Sequence, residues 1–265
     1  MQSKRSLRIP RILCPQLPVP QKPVAVDTEE AAHLRQVLRL QDGSPVIAMD
    51  GRGRAVAGEY FIQEKKAYIR TTHAAPTEVR DEHEEQGALV LEVAVIKGDA
   101  MSWVIEKAVE LGARRVVPVL ADHAVVQVDK KGAEHFVERW QRIADQALKQ
   151  CERLNRISIE APIPLGELLK RPIPGGAIRG VAIEPRGNEG GPALRLSESF
   201  FRGSGEKHVL IGPEGGWSAH ELELFGVEAR GGRLHALDLG PLILRAETAA
   251  IFTLGCALSA RLAID

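Results

Sequence analysis

The stretch VLIGPEGGWSAHELELF, residues 209–225, decides the fold. Its apolar start predicts a buried strand, the glycines at 212–216 predict a tight turn, and Ser218 with Glu221 three residues later forms a capping box that opens a helix. Ligands of open α/β sheets bind beyond the carboxyl ends of the strands, where such a turn lies. The stretch therefore predicts an α/β sheet with a candidate binding loop.

Strands and helices alternate on both sides of this stretch. A nearly continuous apolar run predicts a buried strand at 88–96. Further strands are predicted at 114–120, 178–184 and 207–212, and 234–240 is a candidate for another. Apolar residues at helical spacing predict a helix capped by Asp99, a helix over 130–151 and a last helix from about Arg245 to Leu262. Trp103 and Trp140 lie on the apolar stripes of two of these helices and are predicted in the core. Alternation of this kind predicts a parallel sheet.

The first 75 residues have a different pattern. Residues 28–40 predict a helix capped by Thr28, with Leu34, Val37 and Leu38 on one apolar face. Glycine turns then separate segments that predict a hairpin and a third strand. Residues 74–87 are charged and poor in apolar side chains, which is typical of a linker. We predict a small β-rich domain over 1–75, a linker over 76–88 and an α/β domain over 89–265.

The net charge is zero, because 35 basic residues balance 35 acidic ones. The balance is uneven along the chain: residues 1–80 hold 13 basic and 8 acidic side chains, and the rest hold 22 and 27. Arginine outnumbers lysine by 24 to 11, and its planar guanidinium suits phosphate contacts. The charge pattern therefore allows a nucleic-acid partner held by the N-terminal part.

Several classes of protein are excluded by simple patterns. No apolar run reaches the roughly 18 residues that span a bilayer, and prolines interrupt the basic N-terminus, so neither a membrane anchor nor a signal peptide is expected. The three cysteines, Cys14, Cys151 and Cys256, lie far apart and form neither a disulfide framework nor a metal motif. We therefore expect a cytoplasmic protein that uses no metal.

Two segments can carry chemistry. The turn at 212–216 lacks the Lys and Ser/Thr of a phosphate cradle and contains Glu214, which favours an uncharged or cationic ligand; a plain strand-to-helix turn is an equal alternative. In the second segment, 237–262, Glu247 suits the start of a helix, whereas the cation Arg245 does not and needs another partner. The helix body is apolar nearly all round, as in a core helix or a subunit interface.

The two C-terminal segments together resemble a known family. IGPEGG at 211–216, followed by LGPLILRAETA at 239–249, is similar to the RsmE family, S-adenosylmethionine-dependent enzymes that methylate N3 of a uridine in bacterial 16S ribosomal RNA. Further segments resemble the family in the same order, at 8–11, 33–53, 97–119 and 139–159. The resemblance covers almost the whole chain, and the joint occurrence of the two C-terminal motifs is specific.

The resemblance implies a fold and a set of binding residues. It implies a PUA-like RNA-binding domain, a SPOUT methyltransferase domain with a trefoil knot, and a homodimer that acts on the small ribosomal subunit. The residues implied around the cofactor S-adenosylmethionine are Glu184, Ile211, Gly212, Pro213, Glu214, Gly216, Leu239, Gly240 and Leu244. The chain departs from the family at Leu242 and His123, where arginine is usual, at Cys151-Glu152 before Arg153, and at Ser158.

The chemistry of this reaction assigns expected roles. A guanidinium stays protonated, so we expect Arg245 to stabilise the anion that forms when N3 loses its proton, or to grip a phosphate. Glu247 could orient Arg245 or accept the proton through water, but helix capping is the simpler explanation. Arg153 is expected near the target nucleotide. The residues expected to grip RNA through the N-terminal domain are Arg8, Arg11, Arg35 and Arg39, of which the last two would share one helical face.

Two other functions stay open. A methyltransferase of the same fold could act on another position, such as a ribose or a tRNA base. A non-catalytic RNA-binding or ribosome-assembly factor could have kept the fold, and Leu242 in place of arginine would agree with it. Calorimetric titration with S-adenosylmethionine separates the two classes, because an assembly factor need not bind it.

Overall fold

The computed structural model describes residues 9–73, 75–78, 88–124, 130–184, 194–195, 198–201 and 205–263. The chain divides into two compact units. Unit 1 consists of Met1–Asp81 and Leu148–Arg156, and unit 2 consists of Glu82–Ala147 and Ile157–Asp265. Arg8 and most of the predicted linker lie outside the described residues. No helix in the described ranges has the length and apolar character needed to cross a membrane.

The described residues of the N-terminal part of unit 1 form a six-stranded sheet with a helix after its second strand. Its elements are β1 (Arg11–Leu13), β2 (Val24–Ala25), α1 (Thr28–Gln36), β3 (Ser44–Met49), β4 (Arg54–Gln63), β5 (Lys66–Arg70) and β6 (Thr77–Glu78). The strand order is β1-β3-β4-β5-β2, with β6 paired to β4. β3, β4 and β5 pair antiparallel, which confirms the predicted hairpin and third strand. Ile12, Leu34, Tyr60 and Ile69 are buried in one core.

Helix α1 is shorter than predicted. It ends at Gln36, and Asp27, not Thr28, caps it, since the Asp27 carboxylate accepts hydrogen bonds from two backbone N–H groups of the first turn. Arg39 adopts a left-handed backbone conformation (φ 53°), which turns the chain away from the helix axis. The prediction of a continuous helix to Leu40 is therefore wrong.

The early end of α1 changes the surface of unit 1. Val37 and Leu38, predicted on the apolar face, are 63% and 44% exposed. Leu34 alone of the predicted trio is buried. Because Arg39 lies beyond the helix, Arg35 and Arg39 do not share a helical face, and the geometric reason for a joint phosphate contact is lost.

Unit 2 is built on an eight-stranded sheet in which every described pairing is parallel. The strands are β7 (Leu89–Ala94), β8 (Arg115–Leu120), β9 (Ser158–Ile159), β10 (Ile163–Pro164), β11 (Ile178–Ala182), β12 (Leu194–Arg195), β13 (Lys207–Ile211) and β14 (His235–Asp238). Their order is β10-β8-β7-β13-β11-β14-β12, with β9 beside β8. The predicted α/β class is confirmed. The implied knot stays a prediction.

The helices between these strands lie close to the predicted positions. They are α2 (Asp99–Glu110), α3 (Lys130–Cys151), α4 (Leu165–Lys170), α5 (Glu198–Phe201), α6 (Ala219–Arg230) and α7 (Ala246–Leu262). Gly98, not Asp99, is the N-cap of α2, and no side chain caps this helix end. Trp140 is buried as predicted, but Trp103 is 46% exposed, because it lies on the face of α2 opposite the buried residues of that helix.

Candidate functional site

A cavity of about 500 Å³ lies in unit 2 at the carboxyl ends of three neighbouring strands. β11, β13 and β14 end at Ala182, Ile211 and Asp238, and the residues that follow each strand line the cavity. The first turn of α7 closes a further side. The position is the one at which open parallel sheets bind ligands.

The cavity brings together all the residues that the resemblance placed around the cofactor, and both residues expected to act in catalysis. They are Glu184, Ile211, Gly212, Pro213, Glu214, Gly216, Leu239, Gly240, Leu244, Arg245 and Glu247. The sequence did not predict other lining residues, chiefly Trp217, Ile243, Ile183 and Ala100, and it singled out Leu242 only as a departure from the family and not as part of the cavity.

Trp217 fixes the glycine-rich turn at one wall of the cavity. Its indole Nε1–H donates a 2.9 Å hydrogen bond to the carbonyl oxygen of Ala182, and its ring meets Phe225 edge-on, with 4.9 Å between centroids. A Cβ at Gly212 would lie 2.9 Å from the indole ring. Glycine is required at position 212 because the indole occupies the space of any side chain there.

The loop after β8 is hydrogen-bonded to the same turn. The Nδ1 atom of His123 lies 3.2 Å from the carbonyl oxygens of Gly215 and Gly216. Because carbonyl oxygens only accept, Nδ1 carries the hydrogen and donates to them. The Ser218 hydroxyl donates a 2.5 Å bond to the carboxylate of Asp122. Asp122 and His123, in the loop after β8, therefore both hydrogen-bond to the segment 215–218 that contains the glycine-rich turn.

Glu221 joins both loops to helix α6. One carboxylate oxygen accepts from the backbone N–H of Ser218 at 2.8 Å and completes the predicted capping box, in which Ser218 accepts from the N–H of Glu221. The other oxygen accepts from the backbone N–H of Asp122 at 2.9 Å. Glu221 is buried with both oxygens hydrogen-bonded, so it rigidifies the turn that lines the cavity.

The loop before α7 forms the mouth of the cavity. Gly240 has a φ of 113°, and its N–H donates to the carboxylate of Asp238 at 2.8 Å. Leu242 and Ile243, which follow, are 72% and 64% exposed. Leu242, which stands where arginine is usual in the resembled family, therefore makes the mouth apolar at this point.

Arg245 and Glu247 lie at the start of α7. Arg245 is the exposed N-cap residue and makes no capping bond through its side chain, and Glu247 is half-buried in the first turn. Among the residues that the structure describes, no ion pair or hydrogen bond joins the two side chains. Three carboxylates line the cavity, those of Glu184, Glu214 and Glu247, against the single guanidinium of Arg245. This balance suits a ligand with positive charge.

The residues expected to grip RNA belong to unit 1 and not to the cavity. Arg11 is ion-paired with Glu152 at 2.8 Å. Arg35 donates through Nε to the carbonyl oxygen of Ala31 at 3.3 Å. Arg39 is exposed, and Arg153, although it follows helix α3, is grouped with unit 1. Within the described ranges no three His, Cys, Asp or Glu residues cluster as metal ligands.

Two families of known domains match the chain. Residues 83–258 match the RNA methyltransferase domain family, and residues 26–72 match the RNA methyltransferase PUA domain family. The first match alone covers well over half of the chain. The two matches have the order of an N-terminal PUA domain followed by a methyltransferase domain.

Named relatives cover most of the chain. Ribosomal RNA small subunit methyltransferase E of Bacillus subtilis is 29% identical over 238 residues, 87% of this chain and 87% of that protein. The crystal structure of the same enzyme from Neisseria gonorrhoeae, bound to S-adenosyl methionine, has a TM-score of 0.75 at 26% identity and covers 93% of this chain and 95% of that one. A methyltransferase structure from Legionella pneumophila with the bound cofactor SAM has a TM-score of 0.81 at 25% identity, with 96% and 98% covered.

Proposed function

We propose, because this chain belongs to the RsmE family of RNA methyltransferases, that it transfers a methyl group from S-adenosylmethionine to N3 of a uridine in 16S ribosomal RNA. The observation that carries the proposal is the cavity at the ends of β11, β13 and β14. It is lined by the glycine-rich turn and by the Arg245 segment, the two motifs whose joint occurrence marks the family.

The residues present fit S-adenosylmethionine as the cofactor. A volume of about 500 Å³ lies in the range of small-molecule sites, and Gly212, which has no room for a Cβ beside Trp217, lines the cavity without a side chain. Backbone groups of the turn and the apolar side chains of Ile211 and Leu244 would hold the adenosine, and the carboxylates of the cavity would face the positive charge. When bound, the cofactor supplies an electrophilic methyl group on a sulfonium.

Arg245 is the residue we assign to the reacting base. Uridine N3 must lose its proton before it can attack a methyl group, and the negative charge then spreads onto the two carbonyl oxygens of the base. A guanidinium is a permanent donor, so Arg245 cannot take the proton but can stabilise this charge. Its exposed position without an ion pair in the described part of the chain leaves its donors available to a substrate.

Glu247 does not orient Arg245, because no hydrogen bond joins the two side chains among the described residues. Its carboxylate in the first turn of α7 stabilises the helix N-terminus. From the cavity lining it is also the carboxylate nearest in sequence to Arg245, so we assign it as the acceptor of the N3 proton through water.

Further elements of the proposal concern RNA and a second copy of the chain. A paired base is out of reach inside an RNA helix, so the target uridine must be single-stranded or extruded. Unit 1 would bind the surrounding RNA, in the cytoplasm where ribosomes are assembled. Exposed apolar side chains on and before α7 support a homodimer through this part of unit 2, namely Leu242, Ile243, Phe252 and Leu262.

The experiment is methyl transfer to substrates that differ in assembly. Unmethylated 30S subunits and naked 16S RNA are each incubated with the protein and radiolabelled S-adenosylmethionine, and the labelled nucleotide is mapped and identified by mass spectrometry. The proposal predicts label on one uridine as N3-methyluridine. Label on a ribose or on another base would replace the proposed target, and cofactor binding without any label would show a non-catalytic factor.

A further inference from the structure

Two segments that are about a hundred residues apart pair with each other inside unit 1. The N–H of Arg156 donates to the carbonyl oxygen of Gly51 at 2.9 Å, and the N–H of Gly53 donates to the carbonyl oxygen of Leu154 at 3.3 Å. Arg52 and Asn155 thereby form an isolated antiparallel bridge. The tip of the β3–β4 hairpin and the segment after α3 form one continuous surface.

The hairpin tip is rigid. The buried carboxylate of Asp50 accepts from the backbone N–H groups of Arg52 and Arg54 at 2.8 and 3.1 Å, and from Nε of Arg54 at 2.7 Å. Gly51 has a φ of 70°, and a Cβ there would lie 2.7 Å from Cδ of Arg156. The glycine lets the Arg156 side chain pass directly over the backbone of the tip.

The second segment is tied to unit 1 by ion pairs. Lys149 contacts Glu30 with 2.7 Å between Nζ and a carboxylate oxygen, and Glu152 contacts Arg11 at 2.8 Å. The segment Leu148–Arg156 adds three basic residues and one acidic residue to the unit. Unit 1 therefore holds 16 basic and 10 acidic residues, a larger excess than the first 80 residues have alone.

The paired segments carry four arginines, Arg52, Arg54, Arg153 and Arg156, which we call the arginine ridge. Asp50 pairs with Arg54, and Glu152 pairs with Arg11. Arg153 and Arg156 make further interactions within the protein. Arg52 and Arg156 are both exposed. These two exposed side chains therefore place positive charge at the surface, on a backbone held by the bridge and by the hydrogen bonds of Asp50.

We propose that the arginine ridge binds the phosphate backbone of the substrate RNA. The inference rests on the proposed function, from which the RNA substrate follows, and it identifies the surface of unit 1 that contacts this RNA. Guanidinium groups bind phosphate oxygens in a bidentate manner, and their planar fork of donors is preorganised, so less side-chain entropy is lost for each hydrogen bond that forms. Contacts of this kind release counterions and give affinity that depends on salt and not on base sequence. In this proposal the hairpin tip and the segment after α3 bind the phosphate backbone of the RNA, and the residues of the cavity recognise the target base.

The test is the salt dependence of RNA binding by Arg52→Gln, with Arg156→Gln as a second variant. The probe is a 16S RNA fragment that contains the target uridine, and Kd is measured between about 50 and 200 mM salt by fluorescence anisotropy. Each substitution is expected to raise Kd about three- to tenfold and to lower the slope of log K against log salt by about 1. Arg156 makes additional contacts within the fold, so its variant is accompanied by a thermal melt, and Arg52→Gln alone decides the outcome.

Lys66→Gln is the matched control. It removes one exposed positive charge from the same unit, but at the other end of the ten-residue strand β4, about 30 Å from the hairpin tip. Its Kd and salt slope are expected to equal those of the wild type. Equal losses in Lys66→Gln and Arg52→Gln would show a diffuse charge effect and overturn the proposal.

The outcomes also separate this proposal from the proposed function. If the wild-type protein methylates RNA and Arg52→Gln keeps the wild-type Kd and salt slope, the proposal for the arginine ridge is overturned and the proposed function is not. A variant that loses methylation at unchanged RNA affinity overturns it too, since the ridge acts in binding. Wild-type protein that binds S-adenosylmethionine but labels no RNA overturns the proposed function.

Discussion

Trp217 is hydrogen-bonded through its indole N–H to the carbonyl oxygen of Ala182, the last residue of β11, at 2.9 Å. The bond crosses from the loop after one strand to the end of the neighbouring strand in the sheet. It holds the indole over Gly212, so the wall of the cavity is set before any ligand arrives. Preorganisation of this kind lowers the entropic cost of binding.

Gly212→Ala is expected to weaken cofactor binding. The added Cβ would lie 2.9 Å from the indole, so either the ring or the turn must shift. We expect the Kd for S-adenosylmethionine to rise at least about tenfold, which corresponds to about 1.4 kcal/mol. Isothermal titration calorimetry measures this Kd, and the difference in tryptophan fluorescence between the variant and the wild type reports the shift of the Trp217 ring, since Trp103 and Trp140 are unchanged. The control is Gly166→Ala, where a Cβ meets nothing within 4 Å. An unchanged Kd in Gly212→Ala would show that the indole does not restrain the turn.

His123→Asn and His123→Ala test the hydrogen bonds from His123 to the glycine-rich turn. The amide N–H of asparagine can replace the Nδ1–H that faces the carbonyl oxygens of Gly215 and Gly216, whereas alanine leaves them without this donor. Loss of one such bond costs about 0.5–1.5 kcal/mol, so we expect Kd for the cofactor to rise about three- to tenfold in the alanine variant. The asparagine variant should bind nearly as the wild type does. Equal weakening in both variants would assign the effect to the imidazole ring and not to its donor.

Asp50 gives the stability of unit 1 a predictable dependence on pH. Burial raises the pKa of its carboxyl, but hydrogen bonds from Arg52 and Arg54 and the charge of Arg54 lower it by more, so the pKa in the folded chain lies below its ordinary value of 3.8. A carboxyl with a lowered folded-state pKa stabilises the fold fully above its unfolded-state pKa and loses this contribution as pH falls through the folded value.

The variant that isolates this effect is Asp50→Asn. At pH 7 its free energy of unfolding in urea is expected to be about 1–3 kcal/mol below that of the wild type, and the gap should narrow as the pH falls below about 4. Glu64→Gln, an exposed carboxylate of the β4–β5 turn, is the control and should show neither the loss nor the narrowing. A gap that stays constant from pH 7 to pH 3 would mean that the carboxylate charge plays no part.

The glycine-rich turn of the cavity was predictable because its signal is local, whereas Glu184, Leu239, Gly240 and Leu244 were expected there from the family resemblance. Glycines between an apolar run and a capping box indicate the turn at 212–216. Because the carboxyl ends of parallel strands lie at one edge of the sheet, this turn is expected at a ligand site. Asp122 and His123 lie just beyond the predicted strand at 114–120, but no local pattern indicates their hydrogen bonds to Ser218 and Gly215, which are more than 90 residues away in sequence. Register between strands that are distant in sequence is set by packing, and no periodicity reports it.

The limits of the pattern are clearest in unit 1. The apolar spacing of Val37 and Leu38 predicts a longer helix, yet a single left-handed residue, Arg39, ends it and leaves both side chains exposed. The pairing of Gly51–Gly53 with Leu154–Arg156 has no sequence signal, because it consists of backbone hydrogen bonds. The division of charge at the linker pointed towards RNA, but it counted Arg153 and Arg156 with the wrong half of the chain.

The most direct test of the account is single-turnover methyl transfer by Arg245→Ala, with the Kd for S-adenosylmethionine measured on the same protein. If Arg245 stabilises the charge that develops on the uracil ring, the rate should fall about 10²–10³-fold while the cofactor Kd changes less than about twofold. Arg230→Ala, which removes an exposed arginine from α6 of the same unit, should transfer methyl groups at the wild-type rate. An Arg245→Ala protein that binds cofactor normally and methylates at the full rate would contradict the central assignment.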